Sequence, residues 1–150
     1  MKNKIPAMSL IEVVCVIAIL AVVTTAATLG FQGVQRFKAE RQLHIMADEL
    51  NDLRFEAMSG RCETKLIFSP SGYRRVVGEE RAEEIPYESE LEFLRATTAK
   101  GENMFSFSAS GRPSNSGTSY FQIGGAVYGI VLSPVNAHIR TEKIREKEKF

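Results

Sequence analysis

A run without any charged side chain, Val13–Gln35, is the feature that most constrains this chain. Its apolar part, Val13–Gly33, would reach about 31 Å as a helix, which is close to the thickness of a bilayer hydrocarbon core. It is longer than the roughly 7–15 residues of a signal-peptide apolar region, and no clean small-x-small cleavage site follows it. The run therefore predicts a membrane-spanning helix.

Two lysines, Lys2 and Lys4, precede this run. Because positive charge is retained on the cytoplasmic side of a membrane, they place the N-terminus in the cytoplasm. We therefore expect a single-pass membrane protein with its C-terminal domain outside the cytoplasm.

Glu12 is an acidic residue inside an otherwise apolar stretch, between Ile11 and Val13. Placing a carboxylate well inside hydrocarbon costs about 2.5–3.5 kcal/mol on insertion scales, so an ordinary anchor should avoid it. Either Glu12 lies at the membrane edge and reaches water, or it has a positive partner inside an assembly.

The first 31 residues, MKNKIPAMSLIEVVCVIAILAVVTTAATLGF, resemble a type IV prepilin leader and its N-terminal helix. That family has a short basic leader, a small residue before the cut, a hydrophobic first mature residue, and Glu at the fifth mature position. Here Ala7 and Met8 stand where Gly and Phe are usual, and Glu12 falls at the fifth position. The resemblance implies cleavage between Ala7 and Met8 and N-methylation of Met8 by a prepilin peptidase.

The resemblance also implies a role for Glu12 in filament assembly. Cleavage after Ala7 creates an α-amino group on Met8 that is cationic near neutral pH, since its reference pKa is about 7.7–8.0. In pilins the glutamate meets the amine of a neighbouring subunit, which sets the axial register of the filament. The implied location is a bacterial cytoplasmic membrane and then the filament. The implied partners are other pilin or pseudopilin subunits, the prepilin peptidase and a membrane assembly platform.

The helix is predicted to continue beyond the membrane, from Met8 to Ser59, with Gly60 as its stop. Residues 1–7 form the leader, residues 8–34 the membrane or filament-core helix, and residues 35–60 an amphipathic continuation. Apolar residues recur there at helical spacing, which predicts one buried face: Leu43, Met46, Ala47, Leu50, Leu53 and Ala57.

Residues 61–140 are predicted to form an antiparallel β domain, followed by a charged tail over 141–150. The fold class is thus α+β, a long N-terminal helix packed on a small antiparallel β domain, as in pilins. Residues 100–140 resemble the minor pseudopilin H of type II secretion and related minor subunits of pili and competence filaments. The predicted strands alternate with turn formers, at Lys65–Ser69, Tyr73–Val77, Leu91–Leu94, Met104–Ser108, Ser119–Ile123, Val127–Leu132 and Ala137–Arg140, with a loop at Gly111–Gly117.

No enzyme, metal or cofactor is indicated by the sequence. Cys15, Cys62, His44 and His138 lack metal-ligand spacing. The two cysteines would be about 70 Å apart along a continuous helix, too far for an intrachain disulfide. We interpret Cys15 as a small hydrophobic residue of the helix and His44 as an interface or surface residue.

Nucleic acid is not an expected partner, because the basic and acidic side chains beyond Gln35 balance and the net charge is only +1. The sequence predicts a minor pilin or pseudopilin of a secretion, pilus or competence system. Two alternatives stay open: a DNA-binding minor pilin of an uptake system, and a signal-anchored protein whose extracytoplasmic domain binds a ligand.

Overall fold

The structure is a computed structural model that describes residues 10–79 and 84–144, without the side chains of residues 27–29. One helix, α1, runs over Leu10–Gly60. The predicted C-terminal end of this helix, Ser59, differs by one residue from the observed end, and its predicted start, Met8, lies outside the described residues. Arg61 follows with φ 51°, the left-handed conformation that commonly ends a helix.

Contacts divide the chain into two compact units, residues 1–34 and 35–150. In the first unit the described residues belong to α1 alone, and its side chains are exposed wherever they are described. The second unit contains the rest of α1 and the β-strands, and it is the folded domain of the chain.

Strands of the second unit form two antiparallel sheets. Sheet A has the order β3-β2-β1-β5-β6, and sheet B has the order β4-β7-β8-β9. The strands are β1 Thr64–Phe68, β2 Gly72–Val77, β3 Glu84–Pro86, β4 Leu91–Thr98, β5 Met104–Phe107, β6 Pro113–Asn115, β7 Gly117–Ile123, β8 Ala126–Leu132 and β9 Ile139–Ile144. Together with α1 they confirm the predicted α+β class.

The core lies where the second half of α1 covers the two sheets. The predicted helix stripe is buried throughout, at residues Leu43, Met46, Ala47, Leu50, Leu53 and Ala57. Phe68 joins the sheets, since its ring lies 5.5 Å from that of Phe105 in sheet A, and 5.7 and 5.6 Å from those of Phe93 and Phe121 in sheet B. Each buried Leu or Phe contributes about 1.5–3 kcal/mol, so this cluster is the main stabilising element.

Two short edge strands and one boundary differ from the sequence prediction. β3 was not predicted, and β6 lies within the predicted loop Gly111–Gly117. Both have three residues and sit at the edges of sheet A, so their formation depends on a neighbouring strand more than on their own composition.

The predicted boundary between the β domain and the tail, at residue 140, is corrected. Residues 141–144 belong to β9, which pairs with β8 from Ile139 to Ile144. Mixed charge suggested a tail, but an edge strand directs charged side chains to solvent while Ile139 packs against the core. Residues 145–150 lie outside the described residues.

Candidate functional site

The first candidate site is the apolar segment of α1 from Leu10 to Val34. It is long and apolar enough to cross a membrane, a criterion that a signal sequence near an N-terminus would also meet. Its large apolar side chains are exposed, including Leu10 at 83% and Val22 at 70%. Since soluble monomers rarely expose such a continuous apolar surface, this segment requires lipid or protein around it.

Two hydroxyl groups of the segment, those of Thr24 and Thr25, donate hydrogen bonds within the helix. Thr24 Oγ1 donates to Leu20 O at 2.9 Å, and Thr25 Oγ1 donates to Ala21 O at 2.8 Å. Both threonines therefore tolerate apolar surroundings without a further partner.

Glu12 lies in the first turn of α1 and is exposed. A negative charge there is favourable to the helix dipole, by about 0.3–1 kcal/mol. Among residues 10–79 and 84–144, no side chain forms an ion pair with Glu12. Ala7 and Met8, the predicted cleavage and methylation residues, lie outside the described residues, so their geometry relative to Glu12 is not described.

A second group of polar residues joins α1 to the sheets of the folded domain. Tyr128 Oη donates to Glu40 Oε1 at 2.8 Å, and Tyr73 Oη donates to Glu49 Oε1 at 3.1 Å. Arg75 forms an ion pair with Glu56. These contacts fix the rotation of the helix on the sheets, which the apolar stripe alone defines less sharply.

Glu49 is the most perturbed carboxyl group of this interface. Burial raises its pKa above the ordinary 4.5, while the Tyr73 hydrogen bond and the Arg75 charge act in the opposite direction. Its Oε2 atom is buried and has no hydrogen-bond partner among the described residues. Ionisation of Glu49 is therefore less favourable in the folded state than in the unfolded chain.

We expect Glu49→Gln to stabilise the domain relative to wild type as the pH rises. Because the pKa of Glu49 is higher in the folded state than in the unfolded state, the wild type loses stability as the pH rises from 4.5 through the folded pKa. The stability advantage of the Gln variant should therefore appear in this pH range and stay constant above it. Solvent screening of this half-exposed group keeps the effect modest. Urea unfolding of a fragment of residues 35–150 at a series of pH values measures it.

Glu84→Gln is the matched control with the opposite sign. Hydrogen bonds from Ser71 and Ser69 lower the pKa of Glu84, so the carboxylate adds stability above pH 4.5 that is lost as the pH falls through the folded pKa. Glu84→Gln should therefore destabilise at neutral pH. Equal pH profiles for the two variants would contradict the assignment.

The other candidate residues of the sequence do not form a catalytic or metal centre. Cys15 and Cys62 are free. His44 is exposed on α1, with Nδ1 3.3 Å from Thr141 Oγ1, and lines a small groove of about 220 Å³. Within the described part of the chain, no three His, Cys, Asp or Glu side chains are grouped to hold a metal.

Comparison with protein-family models, with curated proteins and with solved structures gives no match.

One feature of the domain was missed by the sequence reasoning. Gln42 of α1 is hydrogen-bonded to the segment after β3, through Pro86 O and the backbone N of Glu88. The helical spacing of Lys38, Arg41, Gln42 and Ile45 places these four side chains on one face, but it does not indicate which distant segment they contact.

Proposed function

We propose that this chain is a minor pilin or pseudopilin, a structural and assembly subunit of a type IV pilus-like filament. The observation that carries the proposal is Glu12, the lone charge in an exposed apolar helical segment that continues into an α+β domain. A simple anchor has no use for a carboxylate there, whereas an assembly of identical or related helices can supply a cation for it.

In this proposal the chain has a membrane stage and a filament stage. The Leu10–Val34 segment first spans the cytoplasmic membrane, with the folded domain outside the cytoplasm. In the filament, the same exposed apolar side chains contact the helices of other subunits. The segment therefore has a suitable apolar neighbour in both stages, which accounts for its exposure in the isolated chain.

Processing is the first test of this proposal. Co-expression with a prepilin peptidase should give a chain that begins with N-methylated Met8, because the junction with Ala7 follows a basic leader. Intact mass and N-terminal fragmentation measure the outcome, and an inactive peptidase is the control. A chain that still begins at Met1, or that begins beyond Ala26, would reject the pilin assignment and favour a plain signal anchor or signal peptide.

A further inference from the structure

A groove of about 340 Å³ lies between α1 and sheet A of the folded domain. One wall is the helix face that carries Lys38, Arg41, Gln42 and Ile45, and the other is formed by Tyr73, Ile85 and Glu88. We call it the Lys38 groove. It combines two cations and one carboxylate with two apolar side chains, Ile45 and Ile85, that are 42% and 36% exposed.

The two cations of the groove are available to a ligand. Within the described ranges, neither Lys38 nor Arg41 takes part in an ion pair or a side-chain hydrogen bond. Both are exposed and lie three positions apart on α1, which puts them on the same face. An ammonium and a guanidinium side by side form a site for a phosphate group.

The wall opposite the helix is held in place. Gln42 Nε2 donates to Pro86 O at 2.8 Å, and the backbone N of Glu88 donates to Gln42 Oε1 at 2.7 Å. Ser89 Oγ donates to Gln35 Oε1 at 2.9 Å. These bonds hold the backbone at Glu88 across the groove from the cations, so the wall that carries its carboxylate is preorganised.

The groove also follows closely on the apolar segment in the chain. Lys38 comes four residues after Val34, about 6 Å of helix. If the apolar segment spans a bilayer, as the proposed function requires, these cations lie within the headgroup layer, where phosphate groups are abundant and free phosphate is not the main source.

We propose that the Lys38 groove binds a phospholipid headgroup that carries both a phosphate and a primary amine, as in phosphatidylethanolamine. Lys38 and Arg41 contact the phosphate, Glu88 accepts hydrogen bonds from the ammonium, and Ile45 and Ile85 contact the glycerol and upper acyl carbons. The inference rests on the proposed membrane stage. It gives the domain a specific contact with the membrane surface before assembly.

Native mass spectrometry of the full chain tests this inference. The chain is released from mixed micelles with equal amounts of phosphatidylethanolamine, phosphatidylglycerol and phosphatidylcholine, and the retained lipids are counted. Wild type should retain phosphatidylethanolamine preferentially. Lys38→Gln combined with Arg41→Gln should lower that retention about tenfold, since each cation near a phosphate contributes to binding. Glu88→Gln should remove the preference for the amine lipid over phosphatidylglycerol.

Arg36→Gln is the matched control. Arg36 is a cation of the same helix but lies against Gly124, at the β7–β8 turn, and does not line the groove. Equal losses in the Arg36 variant and in the double variant would show general surface charge and overturn the site. If water-soluble glycerophosphoethanolamine competes as strongly as the lipid does, the proposal that the ligand is a membrane lipid is wrong.

The failure of the inference can be told apart from the failure of the proposed function. If alkaline carbonate extracts the wild-type chain from membranes, the proposed membrane stage is wrong, and the headgroup site that depends on it is wrong as well. If wild type stays in the membrane but retains the three lipids equally, only the headgroup site is wrong.

Discussion

Replacing Glu12 with alanine should leave the chain in the membrane and remove it from filaments. Insertion should be unchanged or improved, because the substitution takes a charge out of an apolar segment, worth up to about 2.5–3.5 kcal/mol near the bilayer centre. If Glu12 pairs with a cation of a neighbouring subunit, as proposed, assembly should fall at least about tenfold, because that cation would be left without a counter-charge. Carbonate extraction measures insertion, and co-purification with other pilin subunits measures assembly.

Thr24→Val is the matched control for this experiment. It removes a polar group from the same segment, but one whose hydroxyl is already bonded to Leu20 O within the helix. The Thr24 variant should therefore insert and assemble as wild type does. The register role of Glu12 is wrong if the Glu12 and Thr24 variants co-purify equally with their partners.

A methyl group at Gly117 should strongly destabilise the folded domain. Gly117 has φ 149°, and a Cβ there would lie 2.1 Å from Thr97 O and 2.7 Å from Thr98 Cα, both backbone atoms of the paired strand β4. Neither can move without breaking the β4–β7 pairing, so we expect Gly117→Ala to cost more than about 3 kcal/mol. That is a large share of the roughly 5–15 kcal/mol that stabilise a domain.

The measurement is urea unfolding of residues 35–150, which form one compact unit and should be a soluble monomer. Gly125→Ala is the control, because Gly125 has φ 86° but no atom within 4 Å of the added Cβ. It should cost only the backbone strain, about 1–2 kcal/mol. If the two variants unfold at similar urea concentrations, the close approach of the added Cβ to Thr97 O is relieved more easily than the geometry indicates.

The parts of the fold that were predicted correctly depend on local pattern. The stripe from Leu43 to Ala57 has helical spacing and is buried, and the turn at Pro70–Gly72 joins two strands as expected. Phe105 and Phe121, which lie in two of the predicted strands, are fully buried. Each follows from a few adjacent residues, because periodicity and turn chemistry act over short distances.

The parts that were missed depend on contacts between distant residues. β6 exists because Asn115 is buried, its Nδ2 donating to Met104 O and its Oδ1 accepting from the backbone N of Lys100. β9 exists because β8 offers it an edge. In a sequence, neither segment differs from a loop or a charged tail, since the partner that decides its conformation lies elsewhere in the chain.

The candidate sites divide in the same way, into one that local pattern reveals and one that depends on contacts between distant residues. Glu12 stands out in the sequence, because one charge in an apolar run is visible without a structure. The Lys38 groove does not, because Glu88 and Ile85 reach α1 only through the folding of the intervening strands. The contacts of Gln42 with residues 86 and 88 span more than forty residues of chain.

The order of elements along the chain has a consequence for biosynthesis. The amphipathic half of α1 is synthesised long before its partners: Tyr128 is 88 residues beyond Glu40, and Thr141 is 97 residues beyond His44. At about 5–20 residues per second, the apolar stripe from Leu43 to Ala57 waits roughly 5–20 s for its last strand to be synthesised. During that interval it is a ready binding surface for a chaperone or for the membrane itself, and pairing such distant strands is intrinsically slow. A chaperone and the folding domain would therefore compete for the same stretch of helix.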